Sequence, residues 1–177
     1  FTAPILSKTW FHTGDTIDPP RDGYYARDTS AIALQPTLVQ NYHFNDRSAQ
    51  SFTVTDEDEA REIARALSGR VLRSEIFAAD DDPAVAVPYT VQENRTLVRV
   101  LRAKGNHQPY AVLQPLELES VSYQYESALK DDPLCQHHLN LEWDEYGASI
   151  HSFDVHYARR KTVGDPPPFS DEHQQNW

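Results

Sequence analysis

The stretch Leu139-Asn140-Leu141-Glu142-Trp143-Asp144-Glu145-Tyr146-Gly147-Ala148-Ser149-Ile150-His151-Ser152-Phe153-Asp154-Val155-His156-Tyr157 decides the fold class. Leu139, Leu141 and Trp143 recur at every second position, so an extended strand would carry them on one face. Ile150, Phe153, Val155 and Tyr157 then form a second β-prone run. Between the runs, Asp144 offers a carboxylate to turn amides, and Gly147 takes a positive φ without a Cβ clash. The spacing predicts a β-hairpin, with Trp143, Asp144, Tyr146 and Gly147 as candidate turn and interface residues.

Working upstream, the β character continues. In the run 110–127, Leu116 and Leu118 are even while Val121, Tyr123 and Tyr125 are odd. A slip of one residue exchanges the two faces of a strand, so a bulge or break is expected near Glu119-Ser120. The run 89–101 has two β-prone faces, and Val71-Leu72-Arg73-Ser74-Glu75-Ile76-Phe77-Ala78 reads as a further strand ending in a polar turn at Asp80-Asp81-Asp82-Pro83. The period changes before that strand. Ala60, Ile63, Ala64 and Leu67 fall at i, i+3, i+4 and i+7, which predicts a helix near 56–68 with one apolar face. Thr55 is the expected cap, acidic residues follow at the positive end of the dipole, and Gly69 is the stop. The first 50 residues are irregular apart from a short strand around Lys8–Thr13, and Asp18-Pro19-Pro20-Arg21-Asp22-Gly23 reads as a surface loop. The fold class is therefore α+β, predominantly antiparallel β with one amphipathic helix. A β-rich domain is expected over 1–165, followed by an extended proline-containing tail at 166–177.

Composition removes several classes of function. The chain has 177 residues, enough for a sizeable core, with 39% hydrophobic residues. Its formal net charge of −11 and its one dense basic cluster, Arg159-Arg160-Lys161, argue against nucleic-acid binding. No apolar run approaches the roughly 18 residues of a membrane helix, so no membrane contact is expected of this segment. The single cysteine, Cys135, excludes an internal disulfide and a zinc site built on several thiolates. Methionine is absent and no leader precedes Phe1, as expected of a piece of a longer protein.

Individual residues tempt a chemical reading, and each has a plainer one. His137 and His138 are adjacent, and His151 and His156 are five apart, so on regular strands neither pair shares a face for a metal. Cys135 with His137 or His138 has no recognisable orienting residue or oxyanion loop, and a lone cysteine in a β region is ordinarily a small buried side chain. Asp80-Asp81-Asp82 lacks the spacing of a calcium loop. Glu142, Asp144 and Glu145 are turn formers before they are an acid/base pair. Asn94-Arg95-Thr96 fits a glycosylation sequon and nothing more. No cofactor, metal or catalytic residue is expected.

A series of blocks, in order, carries a resemblance. They are Lys8-Thr9-Trp10-Phe11-His12-Thr13-Gly14, Gly69-Arg70-Val71-Leu72-Arg73-Ser74-Glu75-Ile76-Phe77, Pro88-Tyr89-Thr90-Val91, Ser122-Tyr123-Gln124-Tyr125-Glu126, Asp132-Pro133-Leu134-Cys135-Gln136-His137, the hairpin stretch above, and Tyr157-Ala158-Arg159-Arg160. Together they resemble the middle/C-terminal region of the B component (TcdB-like) of bacterial Tc insecticidal toxin complexes, which lies between an SpvB-like part and Rhs repeats. Trp143-Asp144-Glu145-Tyr146-Gly147-Ala148 also resembles one Tyr-Asp-x-x-Gly-Asn unit of Rhs/YD repeats, with Trp143 replacing Tyr and Ala148 replacing Asn.

The resemblance implies a structural and non-catalytic role in a secreted virulence complex. B and C components would together form a hollow β-shell that encapsulates a cytotoxic effector, and the B component would dock on the A-component pore for delivery. The rival expectation is a β-module that binds carbohydrate or protein through exposed aromatics at Trp10, Tyr24, Tyr25 and Tyr42.

Overall fold

The structure is a computed structural model that describes residues 4–26, 32–78, 87–126 and 132–159. The expected turn at Asp80-Asp81-Asp82 and the expected tail at 166–177 lie outside the described residues.

Among the described residues, eight strands and one helix follow in the order β1 (Ile5–Phe11), β2 (Leu38–His43), β3 (Ser48–Ser51), α1 (Glu57–Leu67), β4 (Val71–Ala78), β5 (Thr90–Arg102), β6 (Val112–Gln124), β7 (Leu134–Trp143) and β8 (Ser149–Tyr157). All eight strands join one sheet whose main path runs β1-β4-β5-β6-β7-β8. Every pairing on that path is antiparallel. The α+β, predominantly antiparallel architecture expected from periodicity is the one observed.

β2 and β3 were not foreseen, and they change the topology. β6 accompanies one edge of β5 along nearly its whole length. The other edge is shared: β4 pairs with Thr90–Glu93, whereas β2 runs parallel beside Leu97–Val100. The sheet therefore forks at Asn94–Thr96. Side chains bridge the gap, with Asn94 Nδ2 donating to the Val71 carbonyl (3.2 Å) and Arg95 Nε donating to the Pro36 carbonyl (2.6 Å).

Strand alternation sorts the core onto two faces of β5. On one face α1 lays Ile63 and Leu67 over Val98, joined by Ile17, Val39, Phe52, Val54 and Leu113. On the other, Val91, Val121, Tyr123 and Tyr125 pack with Leu34, Tyr25, Ile32, Val87 and Cys135. The expected phase slip in β6 is real and lies one residue earlier than predicted. Arg95 pairs with Glu119 and Thr96 with Glu117, so Leu118 is the extra residue and Leu116, Val121 and Tyr123 all reach the same face.

The helix cap also moves by one residue. Asp56, in extended conformation, accepts from the Glu59 amide at 2.8 Å, while Thr55 donates its amide and hydroxyl to the Glu59 carboxylate at 2.9 Å. This reciprocal arrangement satisfies donors at the free end of the helix. The bond from the Glu59 amide is the first cause holding the Asp56 carboxyl below its ordinary pKa. Its stabilisation is present above the ordinary carboxylate pKa and is lost as pH falls through the lowered value.

Candidate functional site

Asp144 organises the hairpin tip. One of its carboxylate oxygens accepts from the amides of Tyr146 (2.9 Å) and Ala148 (2.8 Å), and its own amide donates to the Ala148 carbonyl (2.9 Å). Gly147 closes the turn at φ 92°. The tip does not stand free, because Gln114 Nε2 donates to the Tyr146 carbonyl (2.9 Å) and Arg99 Nη1 donates to the Asp144 carbonyl (3.0 Å). The Arg99 guanidinium lies 4.2 Å from the Tyr42 ring centroid and 5.4 Å from that of Trp143, so one cation joins β2, β5 and the hairpin. Burial lowers the Arg99 pKa, and the nearby Tyr42 and Asp144 oppose that shift. Tyr146, by contrast, is 81% exposed.

The strand after the tip lacks cover. Every residue of β8 is exposed, including Ile150, Phe153, Val155 and Tyr157, and no described strand pairs with its outer edge. β1 closes the other end of the path and also exposes Ile5, Leu6 and Phe11. The sequence did not reveal the bulge in β7. Register shifts around Glu142 push Leu141 out to solvent, so it does not share a packed face with Leu139.

A buried charge cluster supports the β4 side of the fork. Arg73 Nε donates to Glu75 (2.6 Å) and Nη1 donates to Glu93, all three side chains being almost wholly buried. Glu75 also accepts from the Tyr25 amide (2.8 Å), and the Arg73 guanidinium lies 4.8 Å from the Tyr24 ring centroid. Burial, reinforced by Glu93, raises the Tyr24 pKa. Removing one partner from such a cluster leaves an uncompensated charge and costs about 3–5 kcal/mol. Beside it, a cleft of about 160 Å³ lies between the fork and the loops carrying Asp18, Arg21 and Pro36. Two of its polar side chains are engaged locally, Arg21 donating to the Leu34 carbonyl and Asp18 accepting from both the amide and hydroxyl of Thr37, whereas the buried Nδ1 of His12 has no hydrogen-bond partner.

The four aromatics named for the rival binding-module reading are used in packing. Tyr42 is buried beneath Arg99, and Trp10, Tyr24 and Tyr25 are half-buried, with Trp10 edge-on to Tyr24 (4.9 Å) and Tyr25 edge-on to Tyr125 (5.9 Å). Their aromatic character is used in packing, which composition alone does not distinguish from display. The histidines separate as expected for adjacent strand residues: His137 bonds Glu119 and Tyr157, while His138 bonds Asp154. Among the described residues no group of three or more His, Cys, Asp or Glu side chains is placed to hold a metal ion.

Residues 62–177 match the family described as the insecticide toxin TcdB middle/C-terminal region. This chain belongs to that family. Solved structures agree with the match. The crystal structure of TcdB2-TccC3 without its hypervariable C-terminal region aligns with a TM-score of 0.79 at 33% identity, over 96% of this chain and 8% of that one. The complex TcdB2-TccC3-Cdc42 aligns equally well, at 0.79 and 33%. A mutant Photorhabdus luminescens Tc holotoxin pore aligns at 0.77 and 32% identity, again over 96% of this chain and 8% of that one. No curated protein matches significantly. The chain thus corresponds to a small segment of much longer TcdB-type polypeptides and is a structural segment of a toxin B component.

Proposed function

We propose that this segment is a non-catalytic wall piece of a secreted toxin B component. In this reading it contributes to a hollow β-shell that B and C components build around a cytotoxic effector, and it supports delivery of that effector through the A-component pore. The observation that carries the reading is β8, a nine-residue strand exposed on both faces whose outer edge no described strand pairs with. An uncovered edge of that length is a hazard in a self-sufficient domain and a joint in a continuous sheet. Trp143, Asp144, Tyr146 and Gly147 form the structural turn that anchors this outer hairpin, with the Tyr146 ring left for a neighbouring part of the shell.

The test places Ile150→Lys and Phe153→Lys together in the complete B component, which is then mixed with the C component and sized by light scattering. The assembled species should fall severalfold, because two charges would enter a buried strand junction. Unchanged assembly would overturn the wall reading. Cys135→Ala, made in the same background, should leave delivery of the effector intact. Loss of delivery with assembly preserved would overturn the non-catalytic reading.

A further inference from the structure

Three cross-strand histidine–carboxylate pairs are concentrated in the last three strands. His137 on β7 holds Nε2 2.8 Å from Glu119 Oε2 on β6, with Nδ1 3.2 Å from the Tyr157 hydroxyl on β8. His138 Nδ1 lies 2.7 Å from Asp154 Oδ1, its direct partner across β7 and β8. His151 Nδ1 lies 2.6 Å from Glu142 Oε2, again directly across the same two strands. Among the described residues no other histidine forms an ion pair of this kind.

The pairs differ in what else faces them. Glu119 also receives Arg95 Nη1 at 2.7 Å, so its charge is balanced whatever the state of His137. Both ring nitrogens of His137 are engaged, Nε2 with Glu119 and Nδ1 with the Tyr157 hydroxyl. That pair is an anchor. Among the described residues, His138 instead faces carboxylates without a competing cation in contact: Asp154 on β8 and, at longer range, Glu117 on β6, with the Asn140 side chain beside it. His151 faces Glu142 from an exposed position. His156, opposite Gln136, has no carboxylate directly across the ladder.

We propose that the His138–Asp154 pair is a pH-graded clasp that fastens β8 to β7 under mildly acidic conditions and loosens it as the medium turns alkaline. An imidazolium opposite the Asp154 carboxylate adds a charge-assisted bond that the neutral ring lacks. The bond to Asp154 is the main cause raising the His138 pKa above its ordinary value. A raised histidine contributes stability that is complete below the unfolded value, near 6.5, and is lost as pH climbs through the folded value. His12 works in the opposite sense, since burial lowers its pKa, with Asp18 and Arg70 as the charges near it. The clasp is therefore read as the difference between wild type and a variant, in which the contribution of His12 cancels.

His138→Asn, made in the 177-residue chain, keeps a polar group at a half-buried position of β7 while removing the charge. Thermal midpoints at about pH 5.5 should put wild type roughly 2 °C above the variant, and the gap should close by about pH 8.5. The ring resonances of His138 in the wild-type chain should titrate above 6.5, and Asp154→Asn should lower that titration. A gap independent of pH, or His138 titrating at or below 6.5, would overturn the clasp. The titration needs only the wild-type chain, so it decides the matter even if a variant fails to fold. The clasp rests on the hairpin alone, and its outcome is separate from that of the wall reading.

Discussion

Gly147 is constrained twice over. Its φ of 92° lies where side chains with a Cβ are strained, and an added Cβ would sit 2.7 Å from Leu116 Cδ2 and 2.9 Å from Gln114 Nε2. Gly147→Ala should therefore destabilise the chain by about 2–4 kcal/mol, backbone strain and overpacking combined, as read from urea unfolding. Shortening the neighbour by Leu116→Ala should relieve the steric part alone, so the two substitutions should be less damaging together than their sum. A turn glycine and a turn aspartate are legible in sequence because their chemistry is local. The dock that receives them is not. Arg99 reaches the Asp144 carbonyl across 45 positions of chain, and nothing around Arg99 in sequence marks it as a post between Tyr42 and Trp143. For the same reason the half-buried Trp10, Tyr24 and Tyr25 look like display residues until their packing partners are known.

Among the elements, α1 and β4 to β6 were readable because each carries its own periodic signal. The Ile63 and Leu67 stripe predicts a helix that must find a sheet, and the sheet it finds is the even face of β5 at Val98. An 11-residue helix is marginal alone, so docking rather than propensity holds it. Leu67→Ala should consequently remove about 2–5 kcal/mol in urea unfolding, the range for deleting a fully buried leucine side chain. A loss near a few tenths would mean that the docked face relaxes to fill the space. β2 and β3 escaped notice for a physical reason. β2 is six residues long, and its pairing with β5 is parallel and far away in sequence, so no adjacent turn announces it. β3 is Ser-Ala-Gln-Ser, a strand held by its neighbour rather than by its own propensity. The fork at Asn94–Thr96 follows from these two strands and was invisible with them.

At the scale of the whole molecule, the sheet path ends on β1 and β8, neither of which has a second strand partner among the described residues. β8 exposes Ile150 and Phe153 at 52% and 58%, and neither a proline nor a lysine on the strand blunts the edge. β1 carries Lys8, but the lysine lies over the Phe77 ring at 4.8 Å and leaves Ile5 and Leu6 uncovered. A chain of this shape, taken alone in solution, should associate through β8 as its concentration rises. Ile150→Lys with Phe153→Lys should suppress that association in sedimentation velocity, because charges on both faces of an edge strand oppose the approach of a second sheet. The same pair should change the unfolding free energy of the dilute monomer by no more than about 0.5 kcal/mol, as for other exposed substitutions. The two readings together are discriminating. Association that persists with the lysines in place would direct attention to β1, whereas a collapse of monomer stability would show that β8 is supported from within the chain and is not the open joint its exposure implies.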